Sequence, residues 1–393
     1  MKTEFEYIVL GIGGIGSAAA YWLSRQAGKE VLGLEQFEFG HVRGGSHDHS
    51  RIIRKSYHTP YYVEMAKQAY DAWDVLEADL GSELILKIGG LDLSPANASI
   101  NIDQYKDSLT THNISFEWLD AKEAMYRWPQ WRLTDDVGVL YQEESGIAPA
   151  EKCVAAHIKM AQAHGATLKA NSPVSKITAV GDELEVESNG VSYRCRQLIV
   201  TAGAWTNHHL AHFGRQLPLT VTKEQVTYFD TPHANDFTPE KFPIWIWMDN
   251  PSFYGFPMYG EAGPKVAEDA GGKPNDPETR TFDPDPDITN RVNNFVEKYM
   301  PTVGSKEIYT KTCLYTLTPD REFIISKMPE QPNVQVGIGA GHAFKFSSVF
   351  GKYLAELAMH GKTDFDLSLF DINRPILLEE DPENRFGYLN LEW

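Results

Sequence analysis

The chain of 393 residues contains few cysteines, no long apolar run and no excess of basic residues. Its three cysteines, Cys153, Cys195 and Cys313, are too widely spaced for a disulfide framework or a zinc site. No run of 18 apolar residues occurs, so we expect no membrane span. The formal net charge of −18 would repel phosphate backbones, so we expect no nucleic acid partner.

The composition is typical of a globular protein, with 42% hydrophobic and 23% charged residues. At roughly 100–200 residues per domain, a chain of this length is expected to form two domains. The apolar run near the N-terminus is short and broken by glycines, unlike a signal peptide. Together with the unpaired cysteines, this favours a reducing compartment, and we predict a cytoplasmic location.

The first 35 residues predict a strand, a glycine-rich turn, a helix and a second strand. Gly11, Gly13 and Gly16 have the G-x-G-x-x-G spacing, and Glu35 ends the second strand. Gly11 would make the turn, Gly13 would let a pyrophosphate approach, and Gly16 would let the helix pack closely. Glu35 would accept hydrogen bonds from ribose hydroxyl groups. The alternative is a glycine-rich turn in another kind of α/β unit.

Strand, glycine turn and helix recur in the middle and at the end of the chain. Residues 216–310 instead contain aromatic segments that are predicted to be strands. Within them, residues 261–286 are rich in Pro, Gly and Asp and are predicted to form loops. We therefore predict one discontinuous domain from residues 1–90, 145–215 and 311–393. The second domain would contain residues 91–144 and 216–310.

Several motifs follow one another in a specific order along almost the whole chain. They are the glycine fingerprint, "GSHDHSRIIR", "SGIAP", "LIVTAGAW", "YGFP", "CLYTLTPDREFII" and "GHAFKFSS". In this order they resemble the monomeric sarcosine oxidase and N-methyltryptophan oxidase family, flavin amine oxidases of the larger D-amino-acid-oxidase-like group. The resemblance implies an α/β fold, in which a Rossmann-like FAD-binding domain carries a second, mainly antiparallel-sheet α+β substrate domain.

The resemblance also implies that FAD is bound covalently, through a thioether to Cys313. The alternative is a buried structural cysteine, which is how we interpret Cys153 and Cys195. The full set of cofactor-binding residues implied by the resemblance and the glycine fingerprint is Gly11, Gly13, Gly16, Glu35, Ser50, Arg51, Val174, Gly203, Cys313 and Lys345.

Three residues match positions that the family uses for catalysis. Lys265 would stabilise the anion formed when O₂ takes its first electron, and the alternative is a solvated loop lysine. Arg51 would lie against the flavin ring, although it could equally be a surface arginine. His342 would donate a hydrogen bond toward the flavin or cap the helix that follows.

Five residues match positions that bind substrate. Arg54 and Lys345 would hold the substrate carboxylate. Tyr254 and Tyr315 would line the pocket, or they could be ordinary core aromatics. Asp269 stands where the family has a histidine, so we expect either a substrate with an added cationic or hydrogen-bond-donating group, or a displaced loop with Asp269 in solvent.

The predicted function is that of a flavin-dependent oxidase of a small, secondary or N-methyl amino acid. The C–N bond would be oxidised to an imine and O₂ reduced to H₂O₂. A fructosyl (glycated) amino acid oxidase and a flavin amine dehydrogenase with a protein electron acceptor are the alternatives. A NAD-dependent dehydrogenase would leave the C-terminal motifs unexplained. The expected partners are the amino acid substrate and O₂, no metal is expected, and the protein is expected to be a monomer.

Overall fold

A computed structural model describes residues 2–304 and 306–384 of the chain. It begins with strand β1 (Glu4–Leu10), helix α1 (Gly14–Ala27) and strand β2 (Val31–Leu34). β1 and β2 pair in parallel, which requires a crossover between them, and α1 supplies it. The predicted strand, turn, helix and strand are therefore confirmed.

Eighteen more strands and seven more α-helices follow in the part of the chain that the structure describes. The strands are β3 (Arg51–Ile53), β4 (Leu86–Lys87), β5 (Gly90–Ser94), β6 (Glu117–Leu119), β7 (Gly138–Gln142), β8 (Gly146–Ala148), β9 (Thr167–Lys169), β10 (Val174–Val180), β11 (Glu183–Ser188), β12 (Val191–Val200), β13 (Thr220–Asp230), β14 (Ile244–Trp247), β15 (Phe253–Phe256), β16 (Lys265–Glu268), β17 (Lys273–Pro274), β18 (Lys306–Leu317), β19 (Ile324–Met328) and β20 (Gln331–Ile338). The helices are α2 (Pro60–Leu80), α3 (Ile102–Thr111), α4 (Ala121–Arg127), α5 (Ala150–Ala163), α6 (Thr206–Leu210), α7 (Pro286–Tyr299) and α8 (Ser347–His360).

The first sheet has eight strands, in the order β10, β11, β12, β1, β2 and β9, with β20 pairing β12 and β19 pairing β20. Its centre is parallel, because β1 pairs with β2 and β12, β2 with β9, and β12 with β20. The predicted hairpin around Asn189-Gly190 is present as β11 and β12. Parallel strands covered on both faces are expected to be continuously apolar, and β2 is buried along its whole length.

Helix α1 packs against α5 and α8 beside this sheet. The contact is close because the facing residues are small: a Cβ on Gly351 would lie within 2.5 Å of the Cβ of Ala18. The buried apolar side chains of α1, α2, α5 and α8 belong to a single core cluster. This packing fixes the N-terminus of α1, and with it the glycine turn, relative to the sheet.

The second sheet has nine strands, in the order β17, β13, β16, β15, β14, β5, β7 and β6, with β18 paired to β13. All these pairings are antiparallel except that of β5 with β14. Helix α7 covers an aromatic core in which Phe295 stacks on Trp245 and Phe253. A Rossmann-like sheet and a mainly antiparallel sheet are thus both present, as predicted for the fold class.

Residues 261–286 are not entirely loop, contrary to the prediction, because β16 and β17 lie within them. β16 has only four residues between glycine- and proline-rich turns, so its strand character comes from pairing with β13 and β15 rather than from composition. A third, three-stranded sheet has the order β3, β8 and β4. Within residues 2–304 and 306–384, no helix has the length and apolar character needed to cross a membrane.

The predicted domain boundaries stay a prediction, although sheet membership can be compared with them. The strands of the first sheet lie in residues 1–90, 145–215 and 311–384. β18 belongs to the second sheet and continues across the boundary predicted at residue 311. Residues 385–393, which were assigned to the first domain, lie outside the described residues.

Candidate active site

A cavity of about 530 Å³ extends from the glycine turn of the first sheet to β14 and β15 of the second. Both ends of the chain contribute, since Gly11 and Gly13 line it together with Ala340 and Lys345. Of the residues predicted to bind cofactor or substrate, twelve line this cavity: Gly11, Gly13, Glu35, Arg51, Arg54, Val174, Gly203, Tyr254, Asp269, Tyr315, His342 and Lys345.

The glycine turn leaves the backbone accessible at one end of the cavity. Gly11 has φ +81°, and a Cβ there would lie 2.7 Å from the carbonyl oxygen of Thr201. A Cβ on Gly16 would lie 1.8 Å from the carbonyl oxygen of Gly11, so only glycine allows the helix to start this close to β1. Gly13, the N-cap of α1, forms no side-chain cap, which leaves the positive helix end directed at a ligand.

Glu35 is held firmly at the end of β2. Its carboxylate accepts hydrogen bonds from the backbone N–H of Ile12, at 2.8 Å, and of Phe37, at 3.1 Å. His41 Nε2 lies 3.4 Å from the same carboxylate. The acid is 4% exposed and lines the cavity, so it is positioned for the ribose contact expected from the sequence. The turn, the helix end and Glu35 together fit a dinucleotide cofactor such as FAD.

Cys313 lies on β18 directly opposite Glu224 of β13 and is buried. It does not line the large cavity but an adjoining pocket of about 10 Å³. Arg51, Tyr254 and Tyr315 line both spaces, so the sulfur lies next to the cavity rather than in a distant core. Burial raises the pKa of the Cys313 thiol to about 11, and the charge of Arg51 opposes that shift.

Arg51 begins β3 and points back along the loop that precedes it. Its guanidinium donates to the carbonyl oxygens of Gly45, His47 and Ser50, at 3.0, 2.7 and 2.9 Å. Three backbone acceptors fix the orientation of the planar group at the cavity wall. Ser50 contributes this carbonyl oxygen, but its side chain is not among the described groups that line the cavity.

Lys265 is the first residue of β16 and is fully buried, not the solvated loop lysine of the alternative interpretation. Its Nζ donates to Oδ2 of Asp48 and to the carbonyl oxygen of Ser50, both at 2.9 Å. Lys265 is not among the described residues that line the cavity. Its ammonium lies 4.2 Å from the ring centre of Phe256, which does line it. Burial lowers the pKa of Lys265 to about 8, against the opposing effect of Asp48.

Arg54 is already bound to a carboxylate of the protein. Its Nη1 donates to Oδ1 of Asp92 at 2.5 Å, and Ser56 donates to Oδ2 of the same residue at 2.5 Å. Both charged side chains are at most 10% exposed. The guanidinium also lies over the rings of Tyr57 and Tyr105, at 5.1 and 5.7 Å. One half of the predicted carboxylate-binding pair is therefore neutralised before substrate binds.

Lys345 has the opposite character. It lies three residues after His342, in a short 3₁₀ helix ahead of α8, and its Nζ donates to the carbonyl oxygen of His342 at 3.3 Å. Burial, followed by the charge of Arg54, lowers the pKa of Lys345 to about 7, while Asp269 acts in the other direction. A partly buried cation with no carboxylate within ion-pair distance among the described residues is a suitable partner for a substrate carboxylate.

Asp269 follows β16 and lines the cavity rather than lying on a displaced loop. Both of its carboxylate oxygens accept from Nη2 of Arg321, at 2.8 Å each. Arg321 has φ +61° and lines the cavity as well. The position at which a histidine was expected from the resemblance is therefore occupied by Asp269, whose charge is nearly cancelled by that of Arg321.

The remaining predicted residues also surround the cavity. Tyr254 of β15 and Tyr315 of β18 line it, so they are not isolated core aromatics. The ring of His342 lies tilted against that of Phe323, with 4.3 Å between the ring centres, and its Nε2 lies 3.0 Å from the carbonyl oxygen of Arg321. Burial lowers the pKa of His342 far below its usual value, so the imidazole is neutral at physiological pH.

Four charged residues of this site were missed from the sequence: Asp48, Asp92, Lys311 and Arg321. Lys311 could have been found, because it lies two residues before Cys313 and therefore on the same face of a strand. Asp92 could have been noticed as the acid within the apolar strand "GLDLS". Asp48 and Arg321 gave no signal, since each lies in a polar turn with positive φ.

The geometry described above defines the class of protein, and comparison with known families agrees with it. Residues 6–357 match the family model described as FAD dependent oxidoreductase (DAO). The chain belongs to this family. FAD is accordingly its cofactor, in keeping with the glycine turn, the uncapped end of α1 and the buried Glu35.

The most informative relatives are oxidases of small amino acids. The chain is 32% identical to monomeric sarcosine oxidase of Bacillus sp. (strain NS-129), covering 97% of this chain and 99% of that protein. It is 31% identical to human peroxisomal sarcosine oxidase, covering 95% and 97%. It is similar in structure to NikD, an unusual amino acid oxidase essential for nikkomycin biosynthesis, with a TM-score of 0.83, 26% identity, and 94% and 98% coverage. The resemblance seen in the sequence motifs is thus confirmed.

Proposed function

We propose that this protein is a flavin-dependent oxidase of a small secondary or N-methyl amino acid. The observation that carries this proposal is the partly buried Lys345, which has no carboxylate partner among the described residues, at one end of a cavity whose other end is a dinucleotide-binding turn. Held by the glycine turn and Glu35, FAD would supply the two-electron oxidation of the substrate C–N unit to an imine, and O₂ would accept the electrons to give H₂O₂.

The protein's own part in this reaction is binding, orientation and electrostatics. Lys345 holds the substrate carboxylate, and Arg54, neutralised by Asp92, contributes hydrogen-bond donors more than net charge. Tyr254, Tyr315 and the neutral His342 surround the amine end without supplying a carboxylate base. The amine must therefore be bound in its neutral form, which a cationic cavity wall favours.

The substrate class follows from the charge balance of the cavity. The Arg54–Asp92 and Arg321–Asp269 pairs are each close to neutral, so Lys345 provides the excess charge for a single carboxylate. Sarcosine, N-methyl amino acids and cyclic amino acids such as pipecolate carry one carboxylate beside a secondary amine. A panel of these compounds, with fructosyl-lysine as the test of the glycated alternative, identifies the substrate. Oxidation of fructosyl-lysine alone would overturn the proposal.

The electron acceptor is a separate part of the proposal. With Lys265 held as an ammonium near the cavity, O₂ is expected to reoxidise the protein directly. After anaerobic reduction by substrate, admission of air should restore the oxidised flavin spectrum within the turnover time and release one equivalent of H₂O₂. Slow reoxidation by air, with rapid reoxidation by an artificial electron acceptor, would indicate a dehydrogenase instead.

We also propose that Cys313 holds FAD through a thioether. The support is the position of the sulfur in a small pocket that shares Arg51, Tyr254 and Tyr315 with the cavity. Acid precipitation should leave yellow flavin attached to the protein pellet, and Cys313→Ser should release it. Cys153→Ser is the matched control, because Cys153 is equally buried but lies on α5. Flavin that washes out of the wild-type pellet would rule out the linkage.

The protein is further proposed to act as a monomer in a reducing compartment. The proposal of a monomer rests on the similarity of the chain, at nearly full length, to monomeric sarcosine oxidases. The proposal of a reducing compartment rests on the three cysteines, which are buried and form no disulfide. Light scattering of the FAD-loaded protein at micromolar concentration should give a mass near 44.2 kDa. A mass twice as large would contradict the proposal of a monomer.

A further inference from the structure

Asp48 lies at the centre of a cluster of cations that the sequence did not reveal. Its Oδ2 accepts from Lys265 at 2.9 Å, and its Oδ1 accepts from Lys311 at 3.0 Å and from Tyr228 at 2.8 Å. Arg51 Nη1 lies 3.9 Å from Oδ2. The Asp48 side chain is 2% exposed, so one buried carboxylate is shared by three positive groups.

The two lysines depend on Asp48 to different extents. Lys311 is 25% exposed and has a second acid nearby, since its Nζ lies 3.5 Å from Glu261 Oε1. Lys265 is 1% exposed, and Asp48 is its one ion-pair partner among the described residues. Without Asp48, Lys265 would keep only the carbonyl oxygen of Ser50. A buried ammonium without a counter-ion loses its proton easily.

We propose that Asp48 is a positioning residue for Lys265, which it holds in place and keeps in the ammonium form beside the cavity. This inference rests on the proposed oxidase function, because it concerns the cation that assists O₂. Asp48 acts through Lys265, and it is not among the described residues that line the large cavity.

The charges around Lys265 predict the direction of each substitution. The charged or titratable groups around it are Tyr228 from β13, Lys311 from β18, and Asp48 and Arg51 from the loop and β3, while Cys313 of β18 would be uncharged as the proposed thioether. Asp48 opposes the loss of the proton, and Arg51 promotes it. Lys311, a second cation on the same carboxylate, is expected to act in the same direction as Arg51. Removing Asp48 should therefore lower the pKa of Lys265, and removing the charge of Lys311 should raise it.

The test is a pH titration of the flavin absorbance spectrum of the FAD-loaded protein, which reports a charge change near the ring without turnover. The wild-type spectrum should show a transition near pH 8, the pKa of Lys265. Asp48→Asn should move its midpoint down by about 1–3 units, the usual effect of one nearby opposite charge. Lys311→Met should move it up, and Lys265→Met should abolish it.

Tyr228→Phe is the matched control, because it removes a neutral hydrogen bond to Asp48 and keeps the carboxylate charge. Its midpoint should stay at the wild-type value. The oxygen reaction should follow the same pattern: at pH 7.5, Asp48→Asn should be reoxidised more slowly than the wild type, and its rate should recover as the pH falls below its lowered midpoint. In the Lys265→Met background, Asp48→Asn should have no further effect on this rate.

Unchanged midpoints in Asp48→Asn and Lys311→Met, or a transition that persists in Lys265→Met, would overturn the inference. If Asp48→Asn does not fold, Lys311→Met decides alone, because an upward shift supports the inference and no shift overturns it. If the reduced Lys265→Met variant is reoxidised by O₂ at the wild-type rate, the result counts instead against the role of Lys265 in the oxygen reaction of the proposed function. The spectral titration still tests Asp48 in that case.

Discussion

At the scale of single residues, the two cations predicted to bind the substrate carboxylate are not equivalent. Arg54 is held by Asp92, whereas the Nζ of Lys345 donates to a backbone carbonyl oxygen. A charge-assisted hydrogen bond contributes about 1.5–3 kcal/mol when its partner is charged. We therefore expect recognition of the carboxylate to depend mainly on Lys345.

Lys345→Met should lower kcat/KM for the amino acid substrate about 10- to 100-fold, with most of the effect in KM. The loss arises because the substrate carboxylate would be buried without a counter-ion. Steady-state kinetics with O₂ held constant measure it. Lys352→Met is the control, because Lys352 lies on the exposed side of α8 and pairs with Glu356. Equal effects of the two substitutions would contradict this assignment.

The pH dependence of substrate binding should follow Lys345. Its pKa is lowered to about 7, so the free protein carries this charge below pH 7 and loses it as the pH rises through 7. KM, calculated for the neutral-amine form of the substrate that binds, is therefore expected to rise between about pH 6.5 and pH 8.5. Asp269→Asn should begin this rise at lower pH, because Asp269 raises the pKa of Lys345. A KM that is independent of pH in the wild type would exclude Lys345 as the binding cation.

The sequence could predict which residues line the cavity, but not what neutralises them. Twelve predicted residues lie on its wall, and they were identified through the glycine fingerprint and through the resemblance of the motifs to a known family. The counter-ions come from far along the chain: Asp48 meets Lys265 across 217 positions, and Asp269 meets Arg321 across 52. No local pattern contains such pairs, since only the folded sheets bring them together.

At the scale of elements, the turn between β1 and α1 was predictable because its cause is local. Gly11 needs positive φ and Gly16 needs the space of a missing Cβ, and both requirements are visible in the spacing. The entry into α8 was less predictable. A helix was expected to start near Lys345, but a 3₁₀ turn occupies Phe344–Phe346 and α8 begins at Ser347. Helix boundaries are generally less certain than helix existence.

Gly16→Ala should destabilise the protein by about 1–3 kcal/mol or prevent FAD binding, because the new Cβ would lie 1.8 Å from the Gly11 carbonyl oxygen. The backbone must shift, and the helix end would no longer be directed at the phosphates. Thermal unfolding and the flavin-to-protein absorbance ratio measure the two effects. Ser17→Ala, at the next buried position, adds no atom and should keep most of the flavin. Full flavin content in Gly16→Ala would refute this explanation.

At the scale of the whole molecule, the buried Arg54–Asp92 pair joins two sheets. Arg54 directly follows β3 of the three-stranded sheet, and Asp92 lies in β5 of the nine-stranded sheet. Breaking a buried pair leaves one charge uncompensated and costs about 3–5 kcal/mol, whereas replacing both partners with apolar residues can be neutral. This contrast separates a role in stability from a role in substrate binding.

Asp92→Leu should therefore lower the free energy of unfolding by about 3–5 kcal/mol, and the double variant Arg54→Met/Asp92→Leu should recover most of it. Denaturant unfolding of the FAD-loaded proteins provides the comparison. If Arg54 also binds the substrate, the double variant should be stable but have a raised KM. A double variant as unstable as Asp92→Leu would show that the pair is not the cause.

The two-sheet architecture was also accessible from the sequence, because parallel and antiparallel sheets have different strand patterns. The domain boundary at residue 311 stays a prediction, because β18 is a continuous strand of 12 residues that extends beyond it on both sides. Its pairing with β13 continues from Thr220 opposite Leu317 to Asp230 opposite Lys306. The predicted boundary thus falls within the longest strand of the described structure.

The alternation of side chains along this strand limits how the protein could be redesigned. Lys311, Cys313 and Tyr315 share one face of β18, toward the cation cluster and the cavity. Thr312 accepts hydrogen bonds from Nη2 of Arg280 through its carbonyl oxygen and its Oγ1. Deleting or inserting one residue among them would turn the thiol away from its pocket and present a threonine instead. If the strand that carries Cys313 is redesigned or moved to another scaffold, its length at this point must stay the same or change by two residues, so that the thiol keeps its side of the sheet.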